Sequence, residues 1–272
     1  MIDIIKVIIL GIVEGLTEFL PISSTGHLIV VSALLNFENA LGGTFEIFIQ
    51  FGAVVAVVIY FREDLFQKVR ALFSKKDGWR FWLNLLIAAV PAGLVGFLFI
   101  DDIKAVLFNP AVVAISLIVG GVIFLLVERT ADSRQVVVDD LSSITPVQAL
   151  IVGIIQILAV IPGVSRSGAT IIGGMMTGWN RAVATRFSFY LAIPILGGAT
   201  VYDLVKSLDT ISSNDLMNLI VGAVVSGVVA WISIRWLLTF VARNSFVVFG
   251  YYRIAAGVII LLILATGIVN LA

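Results

Sequence analysis

The chain has 272 residues, 60% hydrophobic and only 12% charged, with 17 basic against 17 acidic groups, one histidine and no cysteine. A soluble domain carries charge on about a quarter of its residues, so this composition, with mean hydropathy +1.14, points to an all-α polytopic membrane protein and away from a β-barrel of short alternating segments. Zero net charge gives no electrostatic case for nucleic acid; the cysteine and histidine counts exclude disulfides, thiolate sites and multi-histidine metal centres, and leave carboxylate-bound Mg²⁺ or Ca²⁺ open.

The first apolar region, 4–37, is broken at its middle by "EGLTEFLPISSTGH", Glu14 to His27. Its arms, 4–20 and 24–37, are short for a span, and the pattern predicts a re-entrant helical hairpin. No cleavable leader is expected, because Asp3 precedes Lys6 and Glu14 and Glu18 interrupt the apolar run without a small-residue cleavage site after it. A span is predicted over 45–61, followed by "REDLFQKVRALFSKKDGWR", which reads as a solvated amphipathic loop touching anionic lipid heads. Residues 81–100 and 108–127 are each twenty residues without a charge, enough to cross a hydrocarbon core of about 30 Å. A second broken region, 147–178, again has short arms, 147–161 and 169–178, around "PGVSRSGAT". Spans over 187–205, 216–234 and 246–269 complete the count: six transmembrane helices plus two re-entrant hairpins.

The two broken regions are related at an offset of 142. Gly11 matches Gly153, Leu16 matches Leu158, Ser23 matches Ser165, Gly26 matches Gly168, and the register runs on to Phe45 with Phe187 and Tyr60 with Tyr202. The chain therefore reads as one membrane domain built of two repeats, 1–130 and 146–272, joined by a cytoplasmic linker, 131–145. Each repeat has three spans, an odd number, so the second is expected to be inverted. With the N-terminus outside, Arg62, Lys68, Arg70, Lys75, Lys76, Arg80, Arg129, Arg134, Arg181, Arg186, Arg235, Arg243 and Arg253 fall inside, against Lys6, Lys104 and Lys206 outside. Inverted repeats with broken helices place a working site where the repeats meet, so the hairpin tips are expected to face each other, the first open to the outside.

Each tip carries chemistry the other lacks. Glu14 and Glu18, four apart, share a helical face; in a low-dielectric site one would hold a proton or both would share a cation. Pro21 ends that helix, and Ser23, Ser24 and Thr25 lead into a helix start whose free N–H groups suit an anion. In the second tip Arg166 offers a planar fork that matches phosphate oxygens, and an arginine at membrane depth is a functional candidate by default. At the offset of 142, Glu14 corresponds to Gln156, Glu18 to Val160, Ser24 to Arg166 and His27 to Ala169, so acid and base groups lie in one repeat and the cation in the other. Structural alternatives are that Ser23, Thr25 and Ser167 only cap turns, that Glu14 bridges to Arg166, and that Glu46 and Gln50 are interface residues and not an entrance.

The two motifs, both present in full within a hairpin-plus-three-span layout that covers nearly the whole chain, resemble the undecaprenyl-diphosphate phosphatase family of the bacitracin-resistance type. That resemblance implies hydrolysis of undecaprenyl diphosphate to undecaprenyl phosphate and inorganic phosphate, recycling the lipid carrier of peptidoglycan synthesis in the bacterial inner membrane. It also implies dependence on a divalent cation and a site opening to the periplasmic side; Glu14 and Glu18 are the candidate ligands for Mg²⁺ or Ca²⁺. Carried over by residue, Glu14, Glu18, Ser24, His27 and Arg166 would be essential, with Ser23, Thr25, Gly26, Ser165, Ser167 and Thr170 in support. The nucleophile stays open between Ser24, His27 and water, and the proton acceptor for Ser24 between Glu18 and His27. Homodimerisation is left open, and a lipid-carrier flippase or other transporter is the rival function.

Overall fold

The computed structural model describes residues 4–37, 44–74, 77–131, 138–207 and 213–266. Among them the fold is helical: α1 (Ile4–Thr17), α2 (Ser24–Leu34), α3 (Thr44–Tyr60), α4 (Arg62–Ser74), α5 (Arg80–Leu107), α6 (Pro110–Ala131), α7 (Pro146–Gln156), α8 (Arg166–Met176), α9 (Arg181–Ser207), α10 (Ser213–Val241) and α11 (Val247–Thr266). Five of these, within α5, α6, α9, α10 and α11, are long and apolar enough to cross a membrane. The span expected over 45–61 is shorter: α3 has 17 residues, then bends by 71° at Phe61 into α4, and the pair counts as a sixth span only if taken together. The charge run after it is therefore largely helix and not loop. Large apolar side chains face outward, Phe97 at 68% exposure and Leu98 at 63%, as a lipid-facing surface requires.

The two short-armed regions fold as helical hairpins with matching construction. α1 lies on α2 and α7 on α8. Lys6 Nζ donates to the carbonyl of Asn36 at the base of the first, and Gln148 Nε2 to that of Thr177 at the base of the second. α7 starts cleanly because Thr145 and Gln148 form a capping box ahead of Pro146 at the first helical position. The remaining packing is reciprocal: α1 lies against α10, and α7 against α5. Glycine permits both close approaches. A Cβ on Gly11 would stand 2.9 Å from the Gly222 carbonyl oxygen on α10, and one on Gly153, its counterpart at offset 142, 2.7 Å from that of Ala88 on α5. α3 with α9 and α6 with α11 complete the bundle.

Charged and polar side chains tie several helix ends together. Glu128, at the end of α6, accepts three bonds from Arg181 and a fourth from the backbone N–H of Phe246, joining α6, α9 and the approach to α11. Tyr190 donates to Asp64 of α4, Lys68 lies 3.6 Å from the same carboxylate, and Trp82 Nε1 donates to the Lys68 carbonyl. The linker docks there too, through Asn84 Nδ2 to the Ile144 carbonyl and a short bridge between Val138 and Trp179. Two bonds from Ser142 hold the Asp140 carboxyl in that linker below the usual carboxylate range. Lys75, Lys76 and Arg134 of the predicted inside set lie outside the described residues, as do the side chains of Lys104 and Lys206. Arg253 departs from that set: it is a core residue, 0% exposed, and not a loop charge.

Candidate active site

The tips of the two hairpins meet. Glu18 follows the last residue of α1, in the turn that Pro21 closes, and Ser24 is the first residue of α2. The Ser24 hydroxyl donates to Glu18 Oε2 at 2.5 Å, and Glu18 Oε1 accepts from Arg166 Nη2 at 3.0 Å, across 148 residues of chain. Arg166 is the first residue of α8; its Nη1 donates to the carbonyl of Ser188 on α9 at 2.7 Å, and its guanidinium carbon lies 5.8 Å from the centre of the Phe19 ring. The guanidinium is thus braced on two sides, while Nε–H, in the same fork as Nη2, is buried without a partner. Ser24 and Glu18 are both 6% exposed, so the chain of bonds runs in a low-dielectric pocket where each is electrostatically strong.

The two helix starts are built alike. Ser23 (φ 71°) and Ser165 (φ 74°) are N-caps held in the positive-φ region that non-glycine residues rarely occupy, and the side chain of each accepts from the N–H three residues on, Gly26 and Gly168. Such strain persists only where surrounding structure over-determines it, and it clusters at working sites. Ser165 Oγ lies 3.0 Å from Ser167 Oγ, and Ser167 Oγ donates to the Leu20 carbonyl in the first tip, so Ser167 joins the hairpins directly. Thr170 bonds Gln156 and the Arg166 carbonyl, tying α8 to α7. Thr25 is partly buried in the first turn of α2, and Gly26 leaves room for Val113, whose Cγ1 would stand 3.0 Å from a Cβ there.

The geometry bears on two expectations. The bridge from Arg166 goes to Glu18 and not to Glu14. Glu14 is 0% exposed, and both its carboxylate oxygens lack a hydrogen-bond partner. Of the two candidate proton acceptors for Ser24, Glu18 is in contact; His27 instead places Nδ1 2.7 Å from the Ser23 carbonyl and Nε2 2.6 Å from the Tyr252 hydroxyl.

Arg253 is the residue sequence reasoning missed. Its guanidinium donates to the carbonyls of Pro21 in the first tip, Gly163 and Val164 in the second, and Ser116 on α6, and it lies over the Phe124 ring. A side chain at Gly120 would overlap it. One cation thus pins both turns, satisfying carbonyls that broken helices leave free. Its signal was available, since it is the sole charge of α11, but its place near the predicted start of that span put it among the loop charges. Replacing it by Gln should lower the thermal unfolding midpoint in detergent by several degrees, on the order of 4 kcal/mol for the lost charge-assisted bonds. Arg253→Lys should recover only part, because a single ammonium cannot span acceptors on three segments.

A family model described as "Bacitracin resistance protein BacA" matches residues 7–259. Among curated proteins, the chain is 52% identical over 271 residues to an undecaprenyl-diphosphatase of Albidiferax ferrireducens, covering 99% of this chain and 98% of that one. It is 50% identical to undecaprenyl-diphosphatase 1 of Burkholderia lata over 99% and 98%, and 48% identical to an undecaprenyl-diphosphatase of a Polaromonas species over 98% and 97%. The matched region spans both hairpins and the arginine that pins them, and the chain belongs to the bacitracin resistance protein BacA family.

Proposed function

We propose that the protein hydrolyses undecaprenyl diphosphate to undecaprenyl phosphate and inorganic phosphate. The observation that carries this reading is the Ser24–Glu18–Arg166 chain: a hydroxyl, a base and a fixed cation, assembled from two hairpins in one buried pocket. The substrate's terminal phosphate sits between the two helix starts, held by Arg166 and by free N–H groups at the first turns of α2 and α8. Ser24 Oγ attacks the terminal phosphorus and passes its proton to Glu18; the bond from phosphorus to the bridging oxygen breaks, and undecaprenyl phosphate leaves. Water then attacks the phosphoserine, phosphate departs, and Ser24 recovers its proton. The hydroxyl–carboxylate contact favours Ser24 over His27 and water as the attacking group.

Glu14 is the residue that suits a divalent cation: its two oxygens are buried and unpartnered, whereas Glu18 spends one on Ser24 and one on Arg166. Mg²⁺ takes one or two carboxylates and fills its remaining positions with water and substrate phosphate; bound there, it would neutralise charge developing on the diphosphate. Among the described residues no three acidic or histidine side chains converge as a ready-made metal cage.

In the same reading the hairpins are re-entrant, the second repeat is inverted, and the site opens to the periplasmic side of the inner membrane. The matching caps, the matching hairpin bases and the reciprocal packing of α1 on α10 and α7 on α5 support the repeat. The charge asymmetry of the connecting segments, twelve basic residues on the inner side once Arg253 is set apart against three on the outer, supports the orientation. The tail lies along the apolar outer surface, where a furrow of about 430 Å³ runs between α3 and α10 beside Phe51, Val55, Val224 and Trp231.

Purified protein in detergent, given undecaprenyl diphosphate and Mg²⁺ or Ca²⁺, should release one phosphate per lipid. Detergent removes the membrane barrier, so a carrier that only moves its ligand would release none, and that result would replace hydrolysis by transport.

A further inference from the structure

His27 is the chain's one histidine, and its hydrogen bonds select one tautomer of the neutral ring. The Ser23 carbonyl, 2.7 Å from Nδ1, can only accept, so Nδ1 carries the ring proton. In the neutral ring Nε2 is then a lone-pair acceptor, and the Tyr252 hydroxyl 2.6 Å away donates to it. The two rings lie nearly parallel, 9° apart with centres at 5.6 Å, and Tyr252 is 44% exposed. The imidazole is thus held at both nitrogens, by the strained cap residue beside Ser24 on one side and by α11 on the other. Tyr252 adjoins Arg253, the residue that pins both tips, so its place is set by the same rigid anchor.

We propose that Tyr252 is a positioning residue that latches His27 as the neutral Nδ1–H tautomer. The latch turns the ring's one base nitrogen, Nε2, away from Ser24 and toward the open side of the α2 start, which leaves Glu18 alone on the serine. A ring held at Nδ1 alone would be free to swing Nε2 toward Ser24 and compete for its proton. The catalytic consequence rests on the phosphatase reading; the tautomer itself does not.

A single histidine makes the test direct. Wild-type and Tyr252→Phe proteins, labelled with nitrogen-15 in histidine only, each give one pair of ring-nitrogen signals that need no assignment. Tyr252→Phe keeps the ring and the packing and removes only the donor. The wild type should show a protonated Nδ1 and an unprotonated, hydrogen-bonded Nε2 at neutral pH; in the variant Nδ1–H stays on the Ser23 carbonyl while the Nε2 signal moves downfield on losing its donor. In phosphate-release assays kcat of the variant should fall about five- to tenfold, the scale of one lost positioning hydrogen bond, with KM within about twofold of wild type. A wild-type ring protonated at Nε2, or a variant with an unchanged nitrogen pattern, overturns the latch. A moved Nε2 signal with wild-type kcat overturns its positioning role. Absence of phosphate release by the wild type would instead count against hydrolysis, and the nitrogen spectra would still decide the latch.

Discussion

Replacing Ser24 by Ala should reduce phosphate release by about three orders of magnitude or more while the protein stays folded. Losing a nucleophile removes a step that positioning and charge stabilisation cannot replace, and what remains is the slow rate of water held by the same phosphate cradle. The structural cost is small by comparison. Ser24 donates one hydrogen bond, to Glu18 Oε2, and Glu18 keeps its bond from Arg166 through Oε1. One buried acceptor left short of a partner costs about 1–3 kcal/mol, which a melting curve in detergent would register as a modest shift. The cap of α2 is unaffected, because Ser23 and not Ser24 accepts from Gly26. Turnover within about tenfold of wild type, with an unchanged melting curve, would exclude the serine as nucleophile and return the choice to His27 or water. Ser24→Cys separates the alternatives further: a thiol can still attack, so partial activity there with none in the alanine variant identifies a covalent step.

The working ends of this fold were legible because they break two rules of membrane sequences. Polar residues inside apolar segments are expensive, and a proline followed by hydroxyl residues cannot continue a span, so Glu14–His27 and Pro162–Thr170 stand out against their surroundings. The offset of 142 then predicts that the two features share a design, and Ser23 and Ser165 do share one backbone conformation and one capping bond. Pairing was less legible. Glu14 and Glu18 lie on one helical face and have equal claims on Arg166 from spacing alone. What separates them is where α1 stops: Glu18 is in the turn, where its side chain reaches α8, and Glu14 stays in the helix body. His27 illustrates the same limit. Three positions after Ser24 it lies within a turn of the serine, but the ring's direction is set by Tyr252, 225 residues later, which no local pattern carries. Arg253 was hidden by a counting rule. It lies six residues into α11, about 9 Å along the axis at 1.5 Å per residue, near enough to the predicted inner end to pass for a topological charge. Its carbonyl acceptors come from the two tips and α6, a convergence that appears only once the hairpins are folded.

Arg166→Lys should lose about two to three orders of magnitude in kcat even though the charge is conserved. The guanidinium is engaged on separate edges: Nη1 is fixed on the Ser188 carbonyl, Nη2 on Glu18, and Nε–H, in the fork beside Nη2, is buried and unsatisfied. An incoming phosphate can take that fork while Nη1 stays anchored on α9, so the cation is aimed before the substrate arrives. A lysine ammonium is a point charge on a flexible stem; it can reach Glu18 or the phosphate, but it cannot hold Ser188, Glu18 and two phosphate oxygens at once. The deficit should fall mainly on kcat, because charge on the equatorial oxygens rises toward the transition state and a mispositioned cation loses most there. KM should change less, since attraction to the diphosphate survives with the charge. Arg166→Ala should do worse on both counts, leaving Glu18 in a pocket, 5% exposed at its side chain, without its cation. A lysine variant with near-normal kcat would show that net positive charge suffices at this position, and the two-pronged clamp would have to be given up.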